Sequence, residues 1–185
     1  MSRNSYQETL YWVASSGTAI ASTVTETIIF PDYTVPANVM QAERLLRLRA
    51  FGQYSNTATP TLIFRVRWGG VAGTLLCATA ACTTPSGVTA ATWNLDVLIQ
   101  TRSSGATGTV MANGVANVFA AVAGTVASVT GGGLLTPMTA GGVVTPATAT
   151  IDTTSSAALS VTAEWSASSA SNTLTGLNYL VESLN

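Results

Sequence analysis

The sequence predicts an all-β protein, an antiparallel β-sandwich or jelly roll. Apolar residues alternate with polar residues over several short runs, which is typical of strands with one face in a core and one polar face. Clusters of Gly, Pro, Ser, Thr and Asn separate these runs. No long stretch carries a helical period, so we expect the strands to be joined by turns, as they are in sandwiches and jelly rolls.

The N-terminal residues 1–12 are predicted to form either an arm that docks on another molecule or a first strand with a frayed end. They lack the apolar core of a secretory signal, so synthesis and use without Sec export are expected. Residues 13–185 are predicted to form a single jelly-roll domain, which is long enough to bury a substantial core.

The stretch Pro36–Arg49 is ambiguous between helix and strand. It contains good helix formers, and Glu43 and Arg47 stand at helical spacing. The extended pattern that continues through Phe51 and Tyr54 favours a turn followed by a strand from about Arg44. A short helix before that strand is the alternative.

Four later runs alternate with a period of two and predict strands. The first places Arg65 and Arg67 on the face opposite Phe64 and Val66. The apolar faces of the four runs contain Leu62, Phe64, Val66 and Trp68; Trp93, Leu95, Val97 and Ile99; Leu159, Val161, Ala163 and Trp165; and Leu177, Tyr179 and Val181.

The composition indicates a surface that other protein covers. The chain has seven Lys or Arg residues, all of them arginine, and eight acidic residues, so 8% of it is charged while 47% is hydrophobic. Ordinary soluble domains are about 25% charged. A neutral exterior loses little free energy of charge solvation when it is buried, which suits permanent assembly into a homo-oligomer.

The residue inventory argues against an enzyme. Without histidine, the Ser-His-Asp and Cys-His nucleophiles and histidine-ligated zinc are excluded, and without lysine so is Schiff-base chemistry. A glycosidase would need two converging carboxylates, and no spacing proposes such a pair. Cys77 and Cys82 lack the further ligands of a zinc site and are predicted to be buried thiols, with a local disulfide as the alternative. We therefore expect no cofactor and no metal.

Nucleic acid and membranes are not expected partners. The net charge of −1 gives no bulk attraction to either. The uncharged stretch from Ser103 to Ile151 includes the apolar run Val115–Val129, but Asn, Thr, Ser and Gly interrupt that run and no cationic anchors flank it. Buried or interface strands with glycine turns explain it better than a transmembrane segment.

Residues 44–70 resemble small structural proteins of tailed bacteriophages over the segment RLLRLRAFGQYSNTATPTLIFRVRWGG. The same likeness extends to TWNL at 92–95, RSSGATG at 102–108, LSVTAEW at 159–165 and LVESLN at 180–185. Such proteins are jelly rolls, often trimers, that decorate capsids as cement proteins or form the knobs of fibres. The resemblance therefore implies a homotrimer on the outer capsid surface of a virion, with the major capsid protein as partner. The alternative is a fibre tip that binds a host glycan through aromatics such as Tyr33, Tyr54 and Trp68.

Four arginines are candidate partner-binding residues: Arg47 and Arg49 share one side of one predicted strand, and Arg65 and Arg67 share one side of another. If these strands are neighbours, the four side chains form one patch whose planar forks suit carboxylates on a capsid shell. The strand register, which the sequence leaves open, decides this. The alternatives are solvation or pairing within the molecule or between subunits, with Glu43, Asp96 and Glu164 as partners.

Overall fold

The computed structural model describes residues 7–14, 17, 19–119, 134–139 and 147–184, with the backbone alone for 134–137. Over these ranges the chain forms fourteen strands, all paired antiparallel, and no α-helix, which confirms the predicted all-β sandwich. The strands are β1 (Glu8–Val13), β2 (Ile20–Ala21), β3 (Thr27–Ile28), β4 (Tyr33–Val35), β5 (Leu45–Ser55), β6 (Thr61–Trp68), β7 (Thr74–Ala78), β8 (Cys82–Thr83), β9 (Ala91–Ser103), β10 (Gly108–Val118), β11 (Leu134–Thr139), β12 (Thr148–Ile151), β13 (Ala157–Trp165) and β14 (Thr173–Ser183).

The strands follow one hydrogen-bonded path in the order β1-β14-β5-β9-β10-β11-β7-β6-β13-β3. This path folds back on itself: β7 lies in its second half, yet β10 of the first half and β12 both contact β7. We call β1, β14, β5, β9 and β10 the front sheet, and β7, β6 and β13 with the short β3, β4 and β8 the back sheet. The two sheets enclose the core between their inner faces.

The core is built from the alternate residues that the sequence pattern predicts. On β5, Leu46, Leu48 and Ala50 point inward, and β6, β9 and β13 repeat the arrangement. Phe64 of the back sheet meets Trp93 of the front sheet with ring centroids 5.0 Å apart. A fully buried aromatic or aliphatic side chain contributes about 1.5–3 kcal/mol, so this interlocked layer is the main source of stability.

Aromatic stacking joins the two ends of the hydrogen-bonded path. Tyr11 of β1 stacks on Tyr33 of β4, with ring centroids 5.3 Å apart, and packs edge-on against Tyr179 of β14 at 5.7 Å. Phe30, which follows β3, stacks on Tyr179 with ring centroids 5.2 Å apart. The front and back sheets therefore close against one another through ring contacts on this side.

A bulge interrupts β14 and changes which side chains reach the core. The register with β5 shifts between Gly176 and Asn178, so Leu177 is an extra residue that is only half-buried. The expectation that Leu177 shares the apolar face of Tyr179 is therefore wrong, because a bulge places two residues opposite one and reverses the alternation. Packing against Phe30 requires glycine beside the bulge, because a Cβ on Gly176 would lie 2.3 Å from the ring of Phe30.

The stretch before β5 forms turns and then a strand, as predicted, and within its described residues it contains no helix. Asn38 and Glu43 adopt positive φ angles of 62° and 69°, which ends any helical path, and β5 begins at Leu45. Residues 8–13 form β1, a strand at the end of the front sheet, whereas residues 1–6 lie outside the described residues.

The structure describes the apolar run Val115–Val129 only as far as Phe119. Its first residues, Val115–Val118, belong to β10 and pair with β9 and β11. The described ranges contain no helix long and apolar enough to cross a membrane.

Candidate binding surface on the front sheet

The outer face of the front sheet carries a continuous transverse row of side chains. Directly opposed residues of antiparallel strands point to the same face, with Cβ atoms about 4.5–5.5 Å apart. Strand pairing therefore brings together residues from five strands that are distant in sequence. From β1 to β10 this central row consists of Trp12, Leu180, Arg49, Asp96 and Val115.

Two further rows flank the central row on the same face. One contains Asn178, Phe51, Asn94 and Asn117, and the other contains Glu182, Arg47, Leu98 and Asn113. Trp12 is 64% exposed and Phe51 is 44% exposed, and Leu98 and Val115 are also exposed. Large apolar side chains and a few charges thus share one open surface, which we call the front face.

An ion pair occupies the middle of the front face. Arg47 Nε donates to Asp96 Oδ1 at 2.9 Å, and Arg47 Nη2 donates to Asp96 Oδ2. Arg49 Nε lies 4.0 Å from Asp96 Oδ2. The hydrogen bonds from Arg47 lower the pKa of Asp96 more than its partial burial raises it, and the charges of both arginines add to the lowering. Asp96 is therefore ionised at neutral pH and balances one guanidinium.

Two open grooves lie on either side of Asp96. The first, which we call the amide groove, has a volume of about 470 Å³ and contains Arg49, Phe51, Thr92, Asn94, Asn178 and Leu180. The second, which we call the apolar groove, has a volume of about 420 Å³ and contains Arg47, Leu98, Asn113, Gly114, Val115 and Leu184. The front face therefore offers a polar, aromatic recess and an aliphatic recess side by side.

Arg65 and Arg67 lie on the outer face of the back sheet, where they bind Glu26. Arg67 donates to Glu26 through Nε at 2.5 Å and through Nη2 at 2.8 Å, and Arg65 Nη1 lies 3.2 Å from Glu26 Oε2. Thr162 Oγ1 donates to the same carboxylate at 2.5 Å, and Arg65 Nη1 also donates to Glu164 at 2.6 Å. The side chains of Arg65 and Arg67 are only 16% and 18% exposed.

The four candidate arginines therefore do not form one patch. β5 pairs with β14 and β9, whereas β6 pairs with β13, β7 and β8, so the two strands are not neighbours. Pairing within the molecule, the alternative considered from the sequence, is present for Asp96 and Glu164. Glu26 was not foreseen as a partner. A docking role stays a prediction, and Arg47 and Arg49 are the arginines that the front face presents.

The aromatics proposed from sequence as a glycan platform do not present open rings. Tyr54 and Trp68 are buried. Tyr54 Oη donates to the Phe119 carbonyl at 2.7 Å, and burial raises the pKa of Tyr54 to about 12. Tyr33 is half-buried and stacked on Tyr11. Among the residues that the structure describes, the large exposed rings are instead those of Trp12 and Phe51. The exposure of Phe51 could have been predicted from the sequence, because Phe51 continues the two-residue alternation that places Arg47 and Arg49 on one side of the strand.

Cys77 and Cys82 are buried thiols that no disulfide joins, as predicted. Burial raises the pKa of Cys77 to about 12, and Cys82 Sγ contacts the Ala80 carbonyl oxygen at 3.4 Å. A thiol held protonated in this way is a poor nucleophile. Over the ranges that the structure describes, no group of three or more Asp, Glu or Cys side chains is placed to hold a metal ion.

No protein-family model matches the sequence, and no curated protein matches it. One solved structure that matches is the CBM2 module of the Lactobacillus casei BL23 phage J-1 evolved Dit, with 11% identity, 98% coverage of each chain and a TM-score of 0.39. At that identity and score no statement about ligand or partner follows for this chain.

Proposed function

We propose that this chain is a structural protein of a tailed-phage virion, a homotrimer that decorates the outer capsid surface and contacts the major capsid protein. The observation that carries the proposal is the front face, where exposed apolar side chains from β1, β5, β9 and β10 gather around one balanced ion pair. Protein surfaces of this kind are found where another protein covers them. The proposal includes no catalysis, no cofactor and no metal.

The apolar groove is the proposed contact between subunits, with a second copy of the chain as its occupant. Leu98 and Val115 stand on neighbouring strands, are exposed and line the same groove, so together they present aliphatic surface to an inserted side chain. Arg47 beside the groove is already neutralised by Asp96, so covering it adds little desolvation cost. A symmetric trimer repeats this contact in each subunit.

Capsid docking is assigned to Arg49, at the centre of the front face. Its side chain is 56% exposed, and its shortest charge contact is the 4.0 Å approach to Asp96. A guanidinium with free donors can bind a carboxylate of the shell through two parallel hydrogen bonds. A trimer carries three such contacts. Once one of them has formed, the other two are held close to the shell at a high effective concentration, so the trimer binds more tightly than a single subunit, which suits a decoration protein.

The subunit contact is tested by sedimentation equilibrium of three proteins. The wild-type chain is expected to have three times the 18.9 kDa chain mass at micromolar concentration. Leu98→Asp is expected to be monomeric with an unchanged far-ultraviolet spectrum, because the added carboxylate would lose its hydration in a covered groove whose cation, Arg47, is already paired with Asp96. Val71→Asp is the matched control, since Val71 is exposed in the turn between β6 and β7. A monomeric wild-type protein, or a trimeric Leu98→Asp protein, would contradict the assignment.

Docking is tested with undecorated capsids and the variants Arg49→Ala and Arg102→Ala. Losing a buried charge pair costs about 2 kcal/mol or more, so Arg49→Ala is expected to bind at least about tenfold more weakly. Arg102 is an exposed arginine at the end of β9 and serves as the control that keeps its affinity. Equal loss in both variants would indicate bulk charge rather than a specific contact. Unchanged binding of Arg49→Ala would refute the docking residue.

A further inference from the structure

We infer that the amide groove is a saccharide-binding site that accepts a neutral hexopyranose of a glycan chain, stacked on the ring of Phe51. This inference goes beyond the proposed function and is tested apart from it: the amide groove lies on the other side of Asp96 from the subunit contact, and it shares Arg49 with the proposed capsid contact. It assigns a ligand class to a recess whose aromatic ring and amides the proposed function leaves without a role.

An exposed aromatic ring between two amides defines the site. Phe51 is directly opposed by Asn178 on β14 and by Asn94 on β9. The Cβ atoms of opposed residues are about 5 Å apart, so both amides reach the rim of a ring that stacks on Phe51. A pyranose has this dual character, with an apolar face of C–H groups and a rim of hydroxyls.

The hydrogen-bonding groups around the ring have capacity to spare. Asn94 Oδ1 accepts from Asn117 Nδ2 at 2.7 Å, which orients the amide and leaves both hydrogens of Asn94 Nδ2 to donate. Among the described residues the side chains of Asn178 and Thr92 take part in no hydrogen bond. Arg49 adds guanidinium donors from the central row. Donors and acceptors alternate around an apolar centre, which suits hydroxyls that both donate and accept.

The charge balance of the front face favours a neutral glycan over an anionic one. Arg47 and Arg49 face two carboxylates, Asp96 in the central row and Glu182 in the flanking row. Asp96 keeps its charge at neutral pH, so an acidic sugar at Arg49 would approach a carboxylate within the same groove. The amide groove is also open along the sheet, which suits a unit inside a chain as well as a chain end.

The test uses an immobilised panel of neutral oligosaccharides of glucose, galactose, rhamnose and N-acetylglucosamine, with polygalacturonate as the anionic probe. Wild-type protein is expected to bind at least one neutral member, and a single stacked ring in an open groove predicts a monovalent Kd between about 0.1 and 10 mM. Phe51→Ala is expected to weaken that binding at least tenfold, and Phe51→Trp to retain it. Asn178→Ala is expected to weaken it severalfold.

Trp12→Ala is the matched control, because Trp12 is the other exposed aromatic of the front face and lies outside the amide groove. It is expected to bind like the wild type. Thermal melting and sedimentation of each variant separate loss of the site from loss of the fold or of the trimer. Monomeric Leu98→Asp is expected to keep the monovalent affinity, so failure of the subunit contact leaves this test intact. Absence of binding to every neutral probe, equal binding by Phe51→Ala, or binding confined to polygalacturonate would overturn the inference.

Discussion

Replacing Glu26 with glutamine is predicted to loosen the segment that covers the back sheet. Glu26 precedes β3, and its carboxylate accepts from Arg67 twice and from Thr162 while also facing Arg65. Its side chain is 15% exposed. In Glu26→Gln the negative charge disappears, and an NH2 donor that faces two largely buried guanidinium groups replaces one of the two acceptor oxygens. Arg65 keeps Glu164, and Arg67 keeps the Gly73 carbonyl.

The magnitude follows from these contacts. A hydrogen bond to a charged group contributes about 1.5–3 kcal/mol, but the contacts share one carboxylate and do not add. We expect a loss of about 2–3 kcal/mol in the free energy of unfolding. For a chain of this size 1 kcal/mol shifts Tm by about 2–4 °C, so Tm is expected to fall by roughly 5–10 °C. Glu164→Gln is the control, because its carboxylate is one third exposed and has a single arginine partner, with an expected loss of about 0–1 kcal/mol.

The difference between wild type and Glu26→Gln is also predicted to depend on pH. Burial raises the pKa of Glu26, but the hydrogen bonds from Arg67 and Thr162 and the charges of both arginines outweigh it, so the pKa lies below its ordinary value. A lowered pKa in the folded state means that the carboxylate stabilises the fold above the unfolded pKa of about 4.3. This stabilisation is lost as the pH falls through the folded pKa. Calorimetry at pH 7 and at pH 3 measures the Tm difference between wild type and Glu26→Gln, which is expected to be smaller at pH 3. Equal Tm values for wild type and Glu26→Gln at pH 7, or equal losses for Glu26→Gln and Glu164→Gln, would refute the reasoning.

Three further predictions concern the core and the residue inventory. Cys77, whose pKa burial raises to about 12, is expected to resist an aromatic disulfide reagent at pH 8 until the protein is unfolded, so rapid labelling of the native protein at Cys77 would contradict its placement. Gly52→Ala is expected to lower the free energy of unfolding by about 3 kcal/mol or to prevent folding, because its Cβ would lie 2.0 Å from the Thr175 carbonyl and 2.7 Å from Trp93. Gly70→Ala is the milder comparison in the same denaturation assay: its Cβ would meet nothing within 4 Å, and its φ of 83° alone is expected to cost about 1 kcal/mol. Treatment with a chelator is expected to leave Tm unchanged, and a fall that calcium or zinc reverses would reveal a metal site.

The sequence predicted the strands whose signal is local. The alternation through Phe64, Val66 and Trp68 places three residues of β6 in the core, where they are found, and β9 and β13 follow the same rule. The turn before β5 was also predictable, because the extended pattern from Leu45 onwards outweighs the helical spacing of Glu43 and Arg47. A two-residue period in the sequence predicts that one face of a strand is buried, and each of these strands does bury one face.

The features that could not be predicted from the sequence depend on contacts between residues that are distant along the chain. β5 pairs with β14, more than a hundred positions along the chain, so no local pattern reveals that Arg49 lies beside Leu180. Glu26 reaches Arg67 from a turn, across 41 positions. The bulge at Leu177 reverses the inward side of β14, and its local mark is the isolated Gly176, which indicates a bulge but does not fix the side that faces inward after it. Periodicity therefore identifies the faces of strands but leaves their neighbours, and so the binding surface, undetermined.

The copy number of the chain in purified virus particles tests the proposed function most directly. Quantitative mass spectrometry against the major capsid protein gives the ratio. A decoration protein is expected in hundreds of copies per particle, in a fixed ratio to the capsid subunit, because each trimer occupies a repeated site of the shell. A few copies per particle would instead indicate a fibre tip, and absence from the particles would contradict a structural role in the virion.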